Sequence, residues 1–234
     1  YGAWDLAIQQ FRLGEEPKGG FDVIFLGTPP HVRMDLARSV VAEDPKVLQC
    51  EKPICTPDLA GMKELAEELA KHPATMAIDG FEYNLSGLVD GARETITANA
   101  FGTPQTMDVA IRENWSGIFS AHPWLSGPAD TYLGYWKKGG GAMCEHSHGI
   151  SLWQELARHM GQGRVVEVNA TLDIVKDGTI EYDRLAFLTL TTETGFVGRV
   201  VQDVVTLPVK LGATIQCADG SLELVKGATK EGDL

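Results

Sequence analysis

The chain has 234 residues, of which 44% are hydrophobic and 22% charged, and its 32 acidic residues outnumber its 20 basic ones to give a formal net charge of −12. The negative charge argues against nucleic acid as a partner, because it repels phosphate backbones. The sequence contains no run of eighteen apolar residues and no basic-then-apolar leader, so we predict neither membrane association nor export. Its four cysteines lack the spacing of zinc ligand pairs, which favours reduced thiols in a cytoplasmic protein.

Strand-like and helix-like segments alternate in the first part of the chain. Residues 21–27 and 46–50 are apolar runs typical of strands in a parallel sheet, and apolar residues recur at helical spacing between them. Thr56 is predicted to cap a second helix with Pro57 as its first residue, and residues 74–81 form a third strand. This order predicts part of a doubly wound, Rossmann-type parallel sheet.

The pattern changes after Thr103. Alternating stretches separated by the polar turns "KDGT", "TETG" and "ADGS" predict an open, mostly antiparallel sheet with one solvated face. We therefore predict an α/β part followed by an α+β part. Residues 1–83 are interpreted as the remainder of a dinucleotide-binding domain, and residues 84–234 as a substrate and oligomerisation domain.

A dinucleotide-binding sheet needs a glycine-rich turn after its first strand, where backbone amides and a helix N-terminus hold the pyrophosphate. The pattern Gly-x-Gly-x-x-Gly is absent from this sequence. Either the phosphate-binding unit lies upstream of Tyr1, which is the interpretation we favour, or the sheet does not bind a dinucleotide.

Two polar loops follow neighbouring predicted strands. They are "GTPPH" at residues 27–31 and "CEKP" at residues 50–53, and ligands bind at this edge of open α/β sheets. Lys52 could hold its ammonium against a substrate oxygen and stabilise alkoxide-like charge as a hydride leaves the carbon. The alternative is a solvated lysine on a surface turn.

Together with "GGGAMCEHSHGIS" at residues 139–151 and "IQCADGSLEL" at residues 215–224, these loops resemble the glucose–fructose oxidoreductase/inositol dehydrogenase/MocA (Gfo/Idh/MocA) family. The resemblance implies hydride transfer between NAD or NADP and a sugar, cyclitol or related carbinol, by a homodimer or homotetramer. It implies that Lys52 approaches the nicotinamide and the reacting oxygen. It also implies a cofactor lining made of Thr28, Pro29, Pro30, Glu51 and, in place of the usual polar contact, His31.

The sequence departs from the family pattern at two places. Pro30 and Arg33 stand where asparagine and histidine are usual. After the glycines, the family has an aspartate followed four residues later by a histidine. One alignment puts Cys144 and His148 at these two positions, and the other puts Glu145 and Gly149 there.

We interpret His148 as the general acid/base and Glu145 as its orienting partner, since a helix would place them three residues apart on one face. Two alternatives stay open. Cys144, His146 and His148 would point the same way on a strand and could bind a metal, although the helical spacing that follows disfavours this. The segment could also be only a polar helix start.

Residues 113–138 are rich in aromatic side chains, whose faces suit the C–H faces of sugars. Predicted substrate-binding residues are Trp115, Trp124, Tyr135 and His146, although tryptophans in such a segment also serve as core. Two further hypotheses are a ligand sensor that kept the fold without turnover, and a metal-dependent enzyme using the three ligands named above.

Overall fold

The computed structural model describes residue 5 and residues 7–227. The first sheet along the chain is small and parallel. Its strands are β1 (Val23–Leu26), β2 (Val47–Cys50) and β3 (Met76–Asp79), hydrogen-bonded in that order and all parallel. Helices α1 (Pro30–Val41) and α2 (Met62–Lys71) make the two crossovers. The predicted Rossmann-type alternation is therefore confirmed.

The start of α2 differs from the sequence prediction. Thr56 caps no helix; its hydroxyl donates to the Asp58 carboxylate at 2.6 Å, and α2 begins only at Met62. Leu59 and Gly61 have φ values of 58° and 80°, which are incompatible with a continuous right-handed helix from Pro57. The helix therefore begins after a loop.

The second sheet has six strands, which are β4 (Pro104–Asn114), β5 (Val165–Asp177), β6 (Ile180–Thr192), β7 (Val197–Asp203), β8 (Val205–Cys217) and β9 (Ser221–Val225). They are hydrogen-bonded in the order β5-β6-β7-β4-β8-β9, and only the β4–β7 pair is parallel. One face packs on helices α3 (Gly87–Thr97) and α6 (His148–His159), around buried Trp153 and Leu156. The opposite face carries exposed Arg199. This confirms the predicted open, mostly antiparallel sheet.

The segment between β4 and α6 is made of short helical pieces. Helix α4 is followed by three 3₁₀ turns and by the five-residue helix α5, and the chain bends at His146 and Ser147 before α6 starts. The pieces are Ser116–Ala121 (α4), Pro128–Asp130, Tyr132–Gly134, Trp136–Lys138 and Gly141–Glu145 (α5). The predicted domain boundary after residue 83 falls in another 3₁₀ turn, Glu82–Leu85, and stays a prediction.

The three consecutive glycines allow this segment to dock against both sheets. A Cβ on Gly139 would lie 2.8 Å from the Pro30 ring, and one on Gly140 would overlap the carbonyl groups of Tyr132 and Leu133. Gly141 has a φ of 85° and lies directly against the Asp183 carboxylate. Larger residues would separate α5 from its neighbours on both sides.

Among the described helices, none combines the length and the apolar character that crossing a bilayer requires.

Replacing Gly149 by alanine is expected to destabilise the fold by about 1–3 kcal/mol through overpacking. The added Cβ would lie 2.9 Å from Ile111 Cγ1 and 3.2 Å from Val200 Cγ1, pushing α6 away from the sheet. Gly117→Ala is the matched control, since its Cβ meets nothing within 4 Å and alanine is the better helix former. Denaturant titration measures both. An equal response of the two variants would refute close packing at Gly149.

Candidate active site

An ion pair joins the parallel sheet to the glycine-rich segment. Lys52, in the loop after β2, donates from Nζ to the backbone oxygen of Glu145 at 2.8 Å and to its carboxylate Oε1 at 2.9 Å. Only 15% of the lysine side chain and 13% of the glutamate side chain are exposed. Glu145 ends α5, so the ammonium also satisfies a carbonyl at a helix C-terminus. The predicted Lys52 is therefore held in place rather than solvated.

Tyr132 fixes the other oxygen of the same carboxylate. Its hydroxyl donates to Glu145 Oε2 at 2.7 Å, so Glu145 lies between an ammonium and a phenol. Burial, and then the charge of Glu145, raise the pKa of Tyr132 far above its usual range. The tyrosine therefore stays a neutral hydrogen-bond donor.

Arg33 ties the two predicted cofactor loops together from below. Its side chain is 2% exposed and donates to the backbone oxygens of Thr28, Glu51 and Pro53. Because two of these acceptors flank Lys52, the guanidinium fixes the backbone from which the lysine extends. The role of Arg33 is structural, because the several N–H donors of one guanidinium can bind three backbone oxygens at once.

His146 lies beside this pair and is 3% exposed. Its Nδ1 is 3.6 Å from Glu113 Oε1, and burial lowers the pKa of His146 to about 4 although the Glu145 carboxylate opposes the effect. Burial and then Glu145 raise the pKa of Glu113. The imidazole is therefore neutral near physiological pH.

His148 occupies a second, aromatic niche. Its ring stacks on Tyr83 with centroids 4.3 Å apart and meets the edge of Phe81 at 5.8 Å. Burial, followed by the positive charge of Lys52, lowers the pKa of His148 to about 3. The charge of Lys52 is therefore the second cause, after burial, that keeps His148 neutral.

The expected pairing of Glu145 with His148 is corrected by the geometry. Glu145 pairs with Lys52 and Tyr132, whereas His148 Nε2 lies 3.8 Å from Glu82 Oε1. The reason is the bend after α5, which starts a new helix at His148 and removes the three-residue helical spacing.

Neither of the two alignments fits the structure at both of its positions. Glu145 is the carboxylate that meets the lysine, so the alignment anchored on the glycines describes the carboxylate. The position four residues later is Gly149, where a side chain would collide with Ile111 and Gln202. A histidine cannot stand there, and His148, one residue earlier, is the imidazole available in this helix turn.

The residues predicted to line a cofactor lie at the carboxyl edge of the parallel strands. Pro29 and His31 are exposed, and burial together with the charge of Lys138 lowers the pKa of His31. Pro30 is buried against Gly139. The Oγ1 atom of Thr28 is buried without a hydrogen-bond partner among the described residues, and Glu51 Oε1 accepts from the Lys52 amide at 2.9 Å.

The predicted substrate-binding aromatic residues occupy different surroundings. Trp115 is 5% exposed and packs in a small core with Leu133 and Val204, whereas Trp124 is 70% exposed beside His122. The Tyr135 hydroxyl donates to the Ala129 carbonyl at 3.2 Å. Their roles in binding stay predictions, and the packing of Trp115 corresponds to the core alternative.

Within residues 5 and 7–227, no three histidine, cysteine, aspartate or glutamate side chains converge as a metal ion requires. Burial, and then Asp183, raise the pKa of Cys144 to about 12, so its thiol is protonated rather than a ready metal ligand. The three-ligand alternative therefore lacks its geometry in this part of the chain.

Sequence analysis missed Tyr132 and Glu113 as members of the site. Tyr132 lies in the aromatic segment at residues 113–138, in which the predicted substrate-binding tyrosine is Tyr135. Glu113 follows Arg112 near the end of β4, where a register shift interrupts the pairing with β8. No local pattern marks such a position.

No protein-family model matches the chain, and no curated protein matches it by sequence. Solved structures do match. They include an inositol dehydrogenase homolog from Azotobacter vinelandii complexed with NAD+ (15% identity, TM-score 0.74, covering 88% of this chain and 52% of that one). The WlbA dehydrogenase from Bordetella pertussis, in complex with NADH and UDP-GlcNAcA, matches at 19% identity and a TM-score of 0.70 (87% and 55% covered). A putative myo-inositol dehydrogenase from Sinorhizobium meliloti 1021 matches at 17% identity and a TM-score of 0.67, covering 91% of this chain and 62% of that one.

These likenesses define the class of fold. It is the Rossmann-type fold of NAD-binding dehydrogenases, in which a parallel sheet is followed by a larger mixed sheet. The chain spans about half to six-tenths of the length of the solved structures that it matches.

Replacing His146 by glutamine is expected to weaken the pH dependence of stability. The folded state keeps this imidazole neutral down to about pH 4, whereas the unfolded chain binds a proton near the ordinary value of 6.5, so acidification through this window favours unfolding. At about pH 5 the wild type should lose about 2 kcal/mol of unfolding free energy on this account, and the variant should not. Denaturant titrations near neutral pH and at about pH 5 measure the difference.

His72→Gln is the control with the opposite sign. Its hydrogen bond to Asp44 raises the pKa of His72, so the folded state gains a proton first and is stabilised on acidification. Removing His72 should therefore enlarge the loss of stability at low pH. If His146→Gln responds to pH as the wild type does, the neutral buried imidazole is contradicted.

Proposed function

We propose that the protein is a member of the Gfo/Idh/MocA family and acts as an NAD(P)-dependent oxidoreductase on a carbinol of a sugar, cyclitol or related polyol. The observation that carries this proposal is the Lys52–Glu145 contact. In this contact a partly buried ammonium at the carboxyl edge of the parallel strands meets the segment that we assign to the substrate side of the fold. Ligands of open α/β sheets bind at this edge.

The residues present suit the nicotinamide end of such a cofactor. The unpartnered Oγ1 of Thr28 and the exposed ring of Pro29 lie where the loop after β1 ends, and Glu51 lies in the next loop. We assign the cofactor contacts to Thr28, Pro29, Pro30, His31, Glu51 and Lys52. NAD or NADP, when bound, supplies the hydride acceptor or donor.

Lys52 is proposed to bind the reacting oxygen. An ammonium has three N–H donors, and two of the Lys52 donors go to Glu145. The third can be donated to a substrate hydroxyl and stabilise the negative charge that develops on its oxygen. Glu145 and Tyr132 keep the lysine in that orientation.

His148 is proposed as the proton acceptor. Its imidazole is neutral near physiological pH, as a proton acceptor must be, and its lowered pKa makes it a weak base. Its Nδ1 is buried and has no hydrogen-bond partner within the described residues. A neutral imidazole can take the hydroxyl proton and return it in the reverse direction. His146 and the half-buried Glu113 are proposed to bind neighbouring hydroxyl groups. We further propose a cytoplasmic homodimer or homotetramer, with neither nucleic acid nor a membrane as a partner.

Lys52→Met and His148→Asn test these roles in the full-length protein. The kcat/KM for oxidation of a panel of polyols and aldoses with NAD and NADP should fall by about 10²–10⁴-fold in each variant. Lys52→Met loses the donor to the reacting oxygen, and His148→Asn loses the proton acceptor. Lys46→Met is the matched control, since Lys46 is an exposed lysine paired only with exposed Asp22 in the described contacts. Undiminished turnover in both test variants would refute the assigned roles.

A sensor that kept the fold without turnover is the second candidate, and Gly149 at the expected histidine position favours it. Calorimetry with the same polyols and cofactors separates the two functions. Ligand binding without any change in the absorbance of the reduced nicotinamide supports the sensor, and substrate-dependent change in that absorbance supports the enzyme.

A further inference from the structure

Two buried polar side chains of the large sheet form hydrogen bonds to the backbone of helix α5, the element that carries Glu145. Asp183, 4% exposed, accepts a hydrogen bond at its Oδ2 from the Met143 amide at 2.6 Å. Gln202 is fully buried and donates from Nε2 to the carbonyl oxygens of Ala142 at 2.9 Å and Met143 at 3.0 Å. A single helical turn is thus held by one acceptor and one donor from outside it.

A strand irregularity turns Asp183 toward the helix. Along β6 the residues Ala186, Leu188 and Leu190 are buried, so the even positions face inward. Asp173 pairs with Leu185 and Ile174 with Asp183, which leaves Arg184 as an extra residue of β6. Such a bulge shifts the alternation by one, so that Arg184 is exposed and Asp183 faces inward.

Gln202 needs no such irregularity. Buried Gly198, Val200 and Gln202 alternate along β7, and Gln202 is the last of this inward row. It pairs with Ala186 of β6, beside the bulge. The two side chains that bind α5 therefore come from neighbouring strands of one sheet.

These hydrogen bonds are connected to the proposed site through the short helix α5. Met143 is two residues before Glu145, and α5 has only five residues in all. A displacement of the Met143 peptide therefore displaces both Glu145 oxygens that Lys52 contacts. Gly141 lies so close to the Asp183 carboxylate that a side chain at this position would collide with it.

We propose that Asp183 and Gln202 are positioning residues that set the location of Glu145 and, through it, of the Lys52 ammonium. The effect on turnover rests on the proposed function, whereas the effect on Lys52 does not. A burial site that served only packing would be filled more favourably by apolar residues, since a buried carboxylate and amide are costly to desolvate.

The first experiment measures Lys52 alone. The rate at which a lysine-acylating reagent modifies Lys52 in the full-length protein is followed by peptide mass spectrometry. Asp183→Ala and Gln202→Met should each raise this rate roughly tenfold, because the ammonium loses its fixed partner. Asp183→Asn keeps an acceptor for the Met143 amide and should stay close to the wild type.

Thr192→Val is the matched control. Thr192 lies in the same strand and is 2% exposed, and its hydroxyl contacts Thr194 rather than α5. It should lower stability without changing the modification of Lys52. Equal changes in Thr192→Val and Asp183→Ala would overturn the proposal. Should Asp183→Ala not fold, Gln202→Met decides alone, with an unchanged Lys52 rate as the refuting result.

The second experiment is a double-mutant cycle on kcat with Glu145→Gln. If Asp183 acts through Glu145, Asp183→Ala should lower kcat about tenfold in the wild type and almost not at all in Glu145→Gln. Additive losses would mean a general structural role and overturn the proposal. Altered Lys52 labelling in a protein without turnover would refute the proposed function and leave the positioning role standing.

Discussion

One partly buried ion pair, between Lys52 and Glu145, is the interaction on which the rest of the site depends. Removing two charges from water costs several kcal/mol per ion unless geometry and further hydrogen bonds compensate. Here the compensation is local, because the glutamate offers both a backbone and a carboxylate oxygen to the lysine and receives the Tyr132 hydroxyl. The two partners are 93 residues apart in sequence, Lys52 in the loop after β2 and Glu145 at the end of α5. The surrounding chain brings these two elements into contact.

Burial controls the protonation of the neighbouring groups, and the ion pair adds to its effect. Burial lowers the pKa values of His146 and His148, and the Lys52 ammonium acts in the same direction. Burial also raises the pKa of Glu113, to which the Glu145 carboxylate contributes. Both imidazoles are therefore neutral near physiological pH, whereas the Lys52 ammonium is held in place by Glu145.

The sequence was sufficient to predict the architecture, because apolar periodicity directly reflects burial. The runs that form β1 and β2, the alternation in the large sheet and the two loops at the strand ends were all predicted. The departures depend on tertiary geometry. The backbone at Leu59 and Gly61 delays α2, and the bend after α5 separates Glu145 from His148. Neither has a local signal, and neither does the bulge at Arg184, which is defined only by pairing with β5.

A double-mutant cycle on the free energy of unfolding, with Lys52→Met and Glu145→Gln, tests the central claim most directly. The account predicts that the two single substitutions destabilise the protein non-additively, with a coupling energy of about 1–3 kcal/mol, since each variant leaves the other partly buried charge without its ionic partner. Losses that add to within about 0.5 kcal/mol would show that the two side chains do not interact in the folded protein.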